Sequence, residues 1–300
     1  MIRQKKTISG PLLEVDFYPV WPDGRRMPTR APRSKPTRAE MVKYNRQRAV
    51  KKMIRLVNAN FGADDYLMSP TYEQSCAPSS EEEAKRDLVN YLRRVKTRRA
   101  AALREVEQLL AETPDKPSLR RQREKWQAER DKLAQPMKYI YTMEKVTYQT
   151  GKKAGQSNYH FHLFLTGGLP RRELEEMWPR GMRTNVDRYQ PDRFGPEAAA
   201  RYQVKDPAGS KRFVCSRNLD KPKEPTPKDD RISRRGVQRI AELHVDDAAY
   251  WEKKYPGYRF VRCFARYNAF NGHWYVSAIM YRNNAGLPPP WSDDGWLDDL

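Results

Sequence analysis

The chain has 300 residues, of which 38% are hydrophobic and 32% are charged, and its 58 basic and 38 acidic side chains give a formal net charge of +20. This excess favours a polyanionic partner, and nucleic acid is the commonest polyanion in a cell. No apolar run reaches the roughly 18 to 20 residues of a membrane span, and the first twenty residues lack the apolar core of a signal peptide. Three distant cysteines, Cys76, Cys215 and Cys263, favour neither a disulfide framework nor a CxxC metal site, so we expect a reducing cytoplasm.

The first sixty residues are predicted to form a basic arm followed by a helix. Residues 1–36 are rich in Pro, Arg and Lys without apolar periodicity, which predicts irregular structure. Thr37 and Glu40 have the spacing of a capping box, which predicts that a helix begins there. Residues 25–55 contain twelve Lys or Arg and one acidic residue. We favour a phosphate-binding arm over the alternative, a solvated basic surface helix.

The middle of the chain predicts a strand, a helical hairpin and a β-hairpin. Pro70 in the first strand requires an edge or a bulge. Ser80 and Glu83 form a second capping-box pair at the start of a long helix with apolar residues at helical spacing. The helical hairpin is expected to project from the domain. In chain order the predicted elements are a strand over 64–72, helices over 81–111 and 118–134, and strands over 137–146 and 159–165.

Shorter elements are predicted after Gly167-Gly168, which should end the second strand of the β-hairpin. These are a helix from Pro170, a helix over 196–205 that Asp206-Pro207 should stop, a strand over 211–216, a Lys/Pro linker over 221–228, a helix over 233–251, and hairpin strands over 258–266 and 273–281. We assign five aromatic residues of the last hairpin mostly to the core, namely Tyr258, Phe260, Phe264, Trp274 and Tyr275.

The fold class predicted from this order is α+β, because strand pairs linked as hairpins interleave with helices. A central, mostly antiparallel sheet is expected, flanked by helices and carrying the helical hairpin as an insertion. The predicted division is an arm and helix at 1–60, a core at 61–222, a C-terminal helix and hairpin at 223–284 that complete the same domain, and an acidic tail at 285–300.

Two histidines define the candidate metal site. Side chains alternate along a strand, so His160 and His162 share one face with Phe164, and the apolar residues Tyr159, Phe161, Leu163 and Leu165 share the other. Two imidazoles on one face can bind a divalent metal with a third ligand from a neighbouring strand. Glu144 is the only acidic residue of the facing strand. One alternative is a non-haem iron site, but such a site needs a pocket for an oxidisable substrate and a cofactor, and nothing in this basic sequence indicates one. The other alternative is that the two histidines bind no metal.

Tyr202 and Lys205 are three residues apart in the predicted helix over 196–205 and therefore lie on one face of it. A tyrosine hydroxyl, with a pKa of about 10, is a poor nucleophile near neutral pH. A metal that polarises a phosphate and a lysine that stabilises negative charge would make its attack feasible. The alternative is a tyrosine packed as an ordinary amphipathic residue.

These motifs together resemble the HUH endonucleases over residues 64–220. His160-Phe161-His162 resembles their His-hydrophobic-His motif. Residues 200–205 (ARYQVK) resemble the Tyr-x-x-Lys helix of single-tyrosine rolling-circle replication initiators of plasmids, phages and small single-stranded DNA replicons. Residues 212–219 resemble the basic segment that follows this helix in many phage-type members. Two departures are a poorly matching first strand and Asp206-Pro207, where many relatives repeat tyrosine and lysine.

The resemblance implies residue roles. His160, His162 and Glu144 would bind Mg²⁺ or Mn²⁺, Tyr202 would be the single nucleophile, and Lys205 would assist near the metal or phosphate. The resemblance also implies DNA contacts by basic residues of this region, namely Arg201, Lys211, Arg212 and Arg217.

The implied activity is strand-specific DNA nicking that starts rolling-circle replication in the cytoplasm of a bacterial host. Its substrate would be single-stranded or extruded origin DNA, and its product a 5′-phosphotyrosyl adduct with a free 3′-OH. A host polymerase would extend that end, and any helicase required would have to come from the host, because the chain has no GxxxxGK[ST] loop. Mobilisation relaxases and HUH transposases share this chemistry, and the alternative from another class is a non-enzymatic basic DNA-binding protein.

Overall fold

In a computed structural model of the chain, the described residues are 1–21, 37–147, 149–150, 155, 157–181, 184–204 and 211–284. The α+β class is confirmed, with two mostly antiparallel five-stranded sheets. The chain divides into a terminal unit (Met1–Ala59, Pro191–Ala198 and Asp220–Leu300) and a central unit (Asn60–Gln190 and Ala199–Leu219). Each unit contains one sheet. The predicted acidic tail and residues 22–36 of the predicted arm lie outside the described residues.

The secondary structure is numbered in chain order. The strands are β1 (Ile2–Ser9), β2 (Leu12–Pro19), β3 (Tyr66–Ser69), β4 (Tyr139–Thr147), β5 (Ser157–Leu165), β6 (Asn185–Arg188), β7 (Val214–Cys215), β8 (Lys228–Asp229), β9 (Tyr258–Asn268) and β10 (His273–Arg282). The α-helices are α1 (Arg38–Asn60), α2 (Glu81–Glu112), α3 (Arg120–Ala134), α4 (Arg171–Glu176), α5 (Glu197–Gln203), α6 (Arg234–Leu243) and α7 (Ala248–Lys254). None of these helices is long and apolar enough to cross a membrane.

The N-terminal residues form strands, so the prediction of irregular structure is wrong for residues 2–19. Leu13, Val15 and Phe17 alternate with polar residues and are buried on one face of β2. The basic residues of β1 have the composition of an irregular segment, and this led to the wrong prediction. Arg3 is paired with Asp229 at 2.7 Å and Lys5 with Glu224 at 3.0 Å, so these cations lie on the surface of a sheet and not in a mobile arm.

The sheet of the terminal unit has the order β8-β1-β2-β10-β9. The C-terminal hairpin therefore pairs with the N-terminal strands through β10 and β2. This differs from the predicted division, in which residues 223–284 complete the domain at 61–222. Helices α6 and α7 pack on one face of this sheet around the fully buried Trp251.

Two helices replace the single helix predicted over residues 233–251. Helix α6 ends before His244, and Asp247 begins α7 as an N-cap whose carboxylate accepts a hydrogen bond from the Tyr250 N–H at 2.9 Å. Both predicted capping pairs are formed at their helix starts. Glu40 N–H donates to Thr37 Oγ1, and Glu83 N–H donates to Ser80 Oγ, each at 3.2 Å.

The aromatic residues of the C-terminal hairpin lie on both faces of the sheet, so the structure corrects their assignment to the core at two positions. Tyr258, Phe260 and Trp274 pack against the buried cluster beneath α6 and α7. Phe264 is 55% exposed and Tyr275 is partly exposed, and both belong to the opposite face. Strand periodicity separates the two faces but does not tell which face is covered.

The sheet of the central unit has the order β6-β3-β5-β4-β7, with β4 and β5 paired along their full lengths. Helix α2 packs on its back face in a cluster with Tyr141, Phe161 and Leu163, and α3 joins this cluster through the buried Leu133 near its end. Strand β3 lies between β6 and β5 and ends at Ser69. Pro70 follows the strand, but pairing with β5 continues through it, because the Phe161 N–H donates to the Pro70 carbonyl oxygen at 3.0 Å and Thr71 forms a bridge with His160. The proline has no N–H with which to return that hydrogen bond.

Arg99 of α2 fixes the end of the helical hairpin to the end of β5. Its guanidinium is buried and donates to the carbonyl oxygens of Gly167, of Gln135 at 3.0 Å, and of Lys132 at 3.2 Å. Burial lowers the pKa of this guanidinium. Gly168, with φ of 115°, lies beside it, and a Cβ there would be 2.6 Å from Arg99 Nη1. The predicted end of β5 at Gly167-Gly168 is therefore confirmed, and its reason is close packing against an arginine.

We expect Arg99→Met to lower the free energy of unfolding by about 3 kcal/mol, because carbonyl groups at the end of α3 lose a charged donor. Urea denaturation followed by circular dichroism measures this loss. Arg104→Met is the matched control, since Arg104 is exposed on the same helix and should change stability by less than about 0.5 kcal/mol. Equal midpoints for the two variants would contradict the structural role of Arg99.

Candidate metal centre

The β4–β5 hairpin brings the three predicted metal ligands onto one face of the central sheet. In its register Glu144 is directly opposite His160, and Thr142 is opposite His162. Directly opposed residues of an antiparallel pair share a face, as do residues two apart on one strand. The two-residue alternation of side chains along β5 and its pairing register with β4 therefore bring Glu144, His160 and His162 together on one face of the sheet.

The potential ligand atoms of Glu144, His160 and His162 all lie within 4.8 Å of one another. The Glu144 Oε2 atom is 2.9 Å from His160 Nε2 and 3.5 Å from His162 Nε2. Two imidazole nitrogens and a carboxylate oxygen form a donor set that binds divalent transition metals. The predicted ligand cluster is thus present, and it can hold a metal ion.

His162 has the properties of a neutral ligand. Its side chain is only 11% exposed, and burial, together with the neighbouring His160, lowers its pKa although Glu144 acts in the opposite direction. Its Nε2 atom is buried and makes no hydrogen bond of normal geometry within the described part of the chain, its nearest acceptor being Glu144 Oε2 at 3.5 Å. A buried polar atom without a well-formed hydrogen bond is costly, and coordination of a metal would satisfy it. The residues present therefore fit a metal ion.

Ser69 is a residue of this site that the sequence did not reveal. Its Oγ atom is 3.3 Å from His162 Nδ1, whereas the other ring nitrogen, Nε2, faces Glu144. Such a contact orients a ligating imidazole and fixes its tautomer. Ser69 ends β3, whose register against β5 pairs Met68 with Leu163 and so brings the next residue beside His162. Only this pairing of distant segments identifies it.

We expect Ser69→Ala to weaken divalent-metal binding by about 10-fold or more, because loss of a residue that orients a ligating histidine typically lowers metal affinity by that factor. Calorimetric titration with Mn²⁺ as the probe measures the change. Ser75→Ala is the control, since Ser75 is exposed and contacts Cys76, outside the cluster. An unchanged affinity in Ser69→Ala would show that Ser69 does not orient His162.

Tyr202 lies next to the cluster. Its ring contacts that of His162 edge-on, with centroids 5.1 Å apart and an interplanar angle of 77°. On the same helical segment Ala200 and Val204 are fully buried, whereas Tyr202 is 63% exposed. The tyrosine is therefore held against a candidate ligand while most of its surface remains open to solvent.

For the other predicted site residues that the structure describes, exposure is the property that bears on their predicted role. Lys205 lies outside the described residues. Arg201, Lys211 and Arg217 are exposed and Arg212 is partly exposed, as phosphate contacts require.

Comparisons with protein-family models, with curated proteins and with solved structures find no match to this chain. The roles considered for Glu144, His160, His162 and Tyr202 therefore depend on their geometry and chemistry.

Proposed function

We propose that this protein is a metal-dependent DNA-nicking and joining enzyme of the HUH type, with Tyr202 as its nucleophile. The observation that carries the proposal is the edge-on contact between Tyr202 and His162, a member of the Glu144, His160 and His162 cluster. A metal cluster without a nucleophile would fit many activities. An exposed tyrosine beside it favours phosphoryl transfer.

In the proposed reaction, Tyr202 Oη attacks the phosphorus of one phosphodiester, and the bond from phosphorus to the 3′-oxygen breaks. The proton lost by the tyrosine is balanced by the proton that the leaving 3′-oxygen gains. The products are a 5′-phosphotyrosyl adduct and a free 3′-OH. Because one ester replaces another, the bond energy is retained, and attack by a 3′-OH on the adduct rejoins the strand.

Glu144, His160 and His162 would hold the metal ion, which we propose to be Mg²⁺ or Mn²⁺. When bound, it would supply positive charge that polarises the phosphate under attack. His162 contributes a neutral nitrogen whose burial disfavours protonation. Tyr202, fixed by its contact with that ring, would be positioned beside the phosphate by the same side chain that holds the ion.

The proposed substrate is single-stranded or extruded origin DNA, and the proposed role is initiation of rolling-circle replication in a bacterial cytoplasm. The formal charge of +20 supports a nucleic-acid partner. Arg201, Lys211, Arg212 and Arg217 would contact phosphates, and host helicase and polymerase would act after the nick. Mobilisation relaxases and HUH transposases use the same chemistry, so mobilisation and transposition are the alternative roles.

The test is an adduct assay with end-labelled single strands and with supercoiled DNA in MnCl₂, with EDTA as the control. A label at the 3′ end should migrate with the denatured protein, because the adduct holds the downstream fragment. A label at the 5′ end should appear on a shorter strand that a polymerase can extend. Cleavage without an adduct, or an adduct that carries the 5′ label, would contradict the proposal.

A further inference from the structure

The sheet of the terminal unit has a second face that α1 covers only in part. Near one end, the buried Glu14 of β2 is paired with Arg55 and with Lys51 at 3.1 Å, and Asn58 Nδ2 donates to Tyr281 Oη at 3.0 Å. Beyond this covered region the same face forms a groove of about 360 Å³. Its lining includes Asp16, Tyr18, Phe264, Arg266, Tyr275 and Ser277.

Strand register arranges these six residues, which we term the aromatic platform, in two rows across β2, β10 and β9. Ser277 is opposite both Asp16 and Phe264, and its hydroxyl donates to Asp16 Oδ1 at 2.6 Å. Tyr275 is opposite Arg266, and the pairing of Val276 with Phe17 brings Tyr275 beside Tyr18. The rows are two residues apart along the strands, or about 7 Å.

The aromatic platform combines one exposed and two partly exposed rings with positive charge. Phe264 is 55% exposed, and Tyr18 and Tyr275 are partly exposed. The guanidinium of Arg262, which is paired with Glu197, lies 5.0 Å from the ring centroid of Phe264. Arg266 is exposed, and in the described part of the chain no acidic side chain is paired with it. Large exposed aromatic side chains on a sheet face mark contact sites, and an unpaired arginine beside them favours an anionic partner.

We propose that the aromatic platform binds single-stranded nucleic acid. One base would stack on Phe264 and the next on Tyr18 or Tyr275, with Arg266 on the phosphate between them. The row spacing suits the repeat of an extended strand, and unpaired bases are required because the rings cannot reach bases within a duplex. Asp16 can accept from exocyclic amino groups of bases. This site lies within the terminal unit, whereas Tyr202 belongs to the central unit.

The test measures fluorescence anisotropy of a labelled strand of about 12 thymidines, using full-length protein with Tyr202→Phe in EDTA so that cleavage is absent. Phe264→Ala should weaken binding by roughly 10-fold, and Phe264→Trp should retain it. Arg266→Ala should weaken binding and lower its salt dependence by about one phosphate contact. Duplex of the same length should bind without sensitivity to Phe264.

Matched controls come from the opposite face of the same strands. Tyr267 is 48% exposed on β9, and Arg282 is exposed on β10. Alanine at either position should leave affinity within about twofold of the parent. Unchanged binding in Phe264→Ala and Arg266→Ala would overturn the proposal, as would equal losses in the controls. A matching RNA strand with the same sensitivity would extend the ligand to both nucleic acids, and a response confined to DNA would assign the aromatic platform to DNA.

Discussion

Tyr202→Phe should abolish the covalent protein–DNA adduct and strand nicking while metal binding and salt-sensitive DNA binding remain. The substitution removes one oxygen atom, and the phenyl ring can keep the edge-on contact with His162. Tyr202 is 63% exposed, so its hydroxyl contributes little to folding and the variant should unfold at the wild-type temperature. Loss of the adduct without loss of stability would therefore identify the nucleophile.

The matched control for this experiment is Tyr44→Phe, because Tyr44 is 53% exposed on α1 and is not part of the cluster. It should form the adduct at the wild-type rate. If Tyr202→Phe still forms an adduct, another residue is the nucleophile. If it still cuts DNA without an adduct, water is the nucleophile, and the cluster belongs to a hydrolytic nuclease.

The metal cluster could be predicted from sequence because its ligands belong to one hairpin. His160 and His162 follow from the two-residue period of a strand, and Glu144 follows from the pairing of adjacent segments. Ser69 could not be predicted, because it reaches His162 from a strand nearly a hundred residues away. Local patterns determine hairpin register, whereas contacts between distant strands depend on the whole sheet.

The same limit explains the terminal unit. Strand β2 alternates in the way that predicts a half-buried strand, but its partner β10 lies at the other end of the chain. Without that partner, the basic residues around it indicated an irregular arm. The exposure of Phe264 was also unpredictable, because it depends on how far α1 covers the sheet. Sequence periodicity gives the two faces, and tertiary packing decides which one is open.

Glu144→Gln and His162→Ala should remove nicking by removing metal binding, while DNA affinity persists. Loss of a residue that only contacts a metal ligand typically lowers metal affinity by about 10- to 100-fold. Loss of a ligand itself should therefore weaken Mn²⁺ binding by more than about 100-fold. Glu144→Gln keeps the size of the side chain and serves as the variant that preserves folding. Calorimetric titration measures metal affinity, and anisotropy across a salt series measures DNA binding, whose slope depends on phosphate contacts.

The control for the charge change is Glu73→Gln, since Glu73 is exposed and lies outside the cluster. It should match wild type in metal binding, nicking and salt dependence. Loss of DNA binding together with nicking in Glu144→Gln would show that the cluster supports the fold and not the reaction. Retained nicking without measurable metal affinity would show that the reaction of Tyr202 does not require the metal. If Glu144→Gln loses nicking while the salt dependence of its DNA affinity is unchanged, the phosphate contacts are intact and only the chemistry is lost. That result would support the role of the Glu144 carboxylate as a ligand of the metal ion.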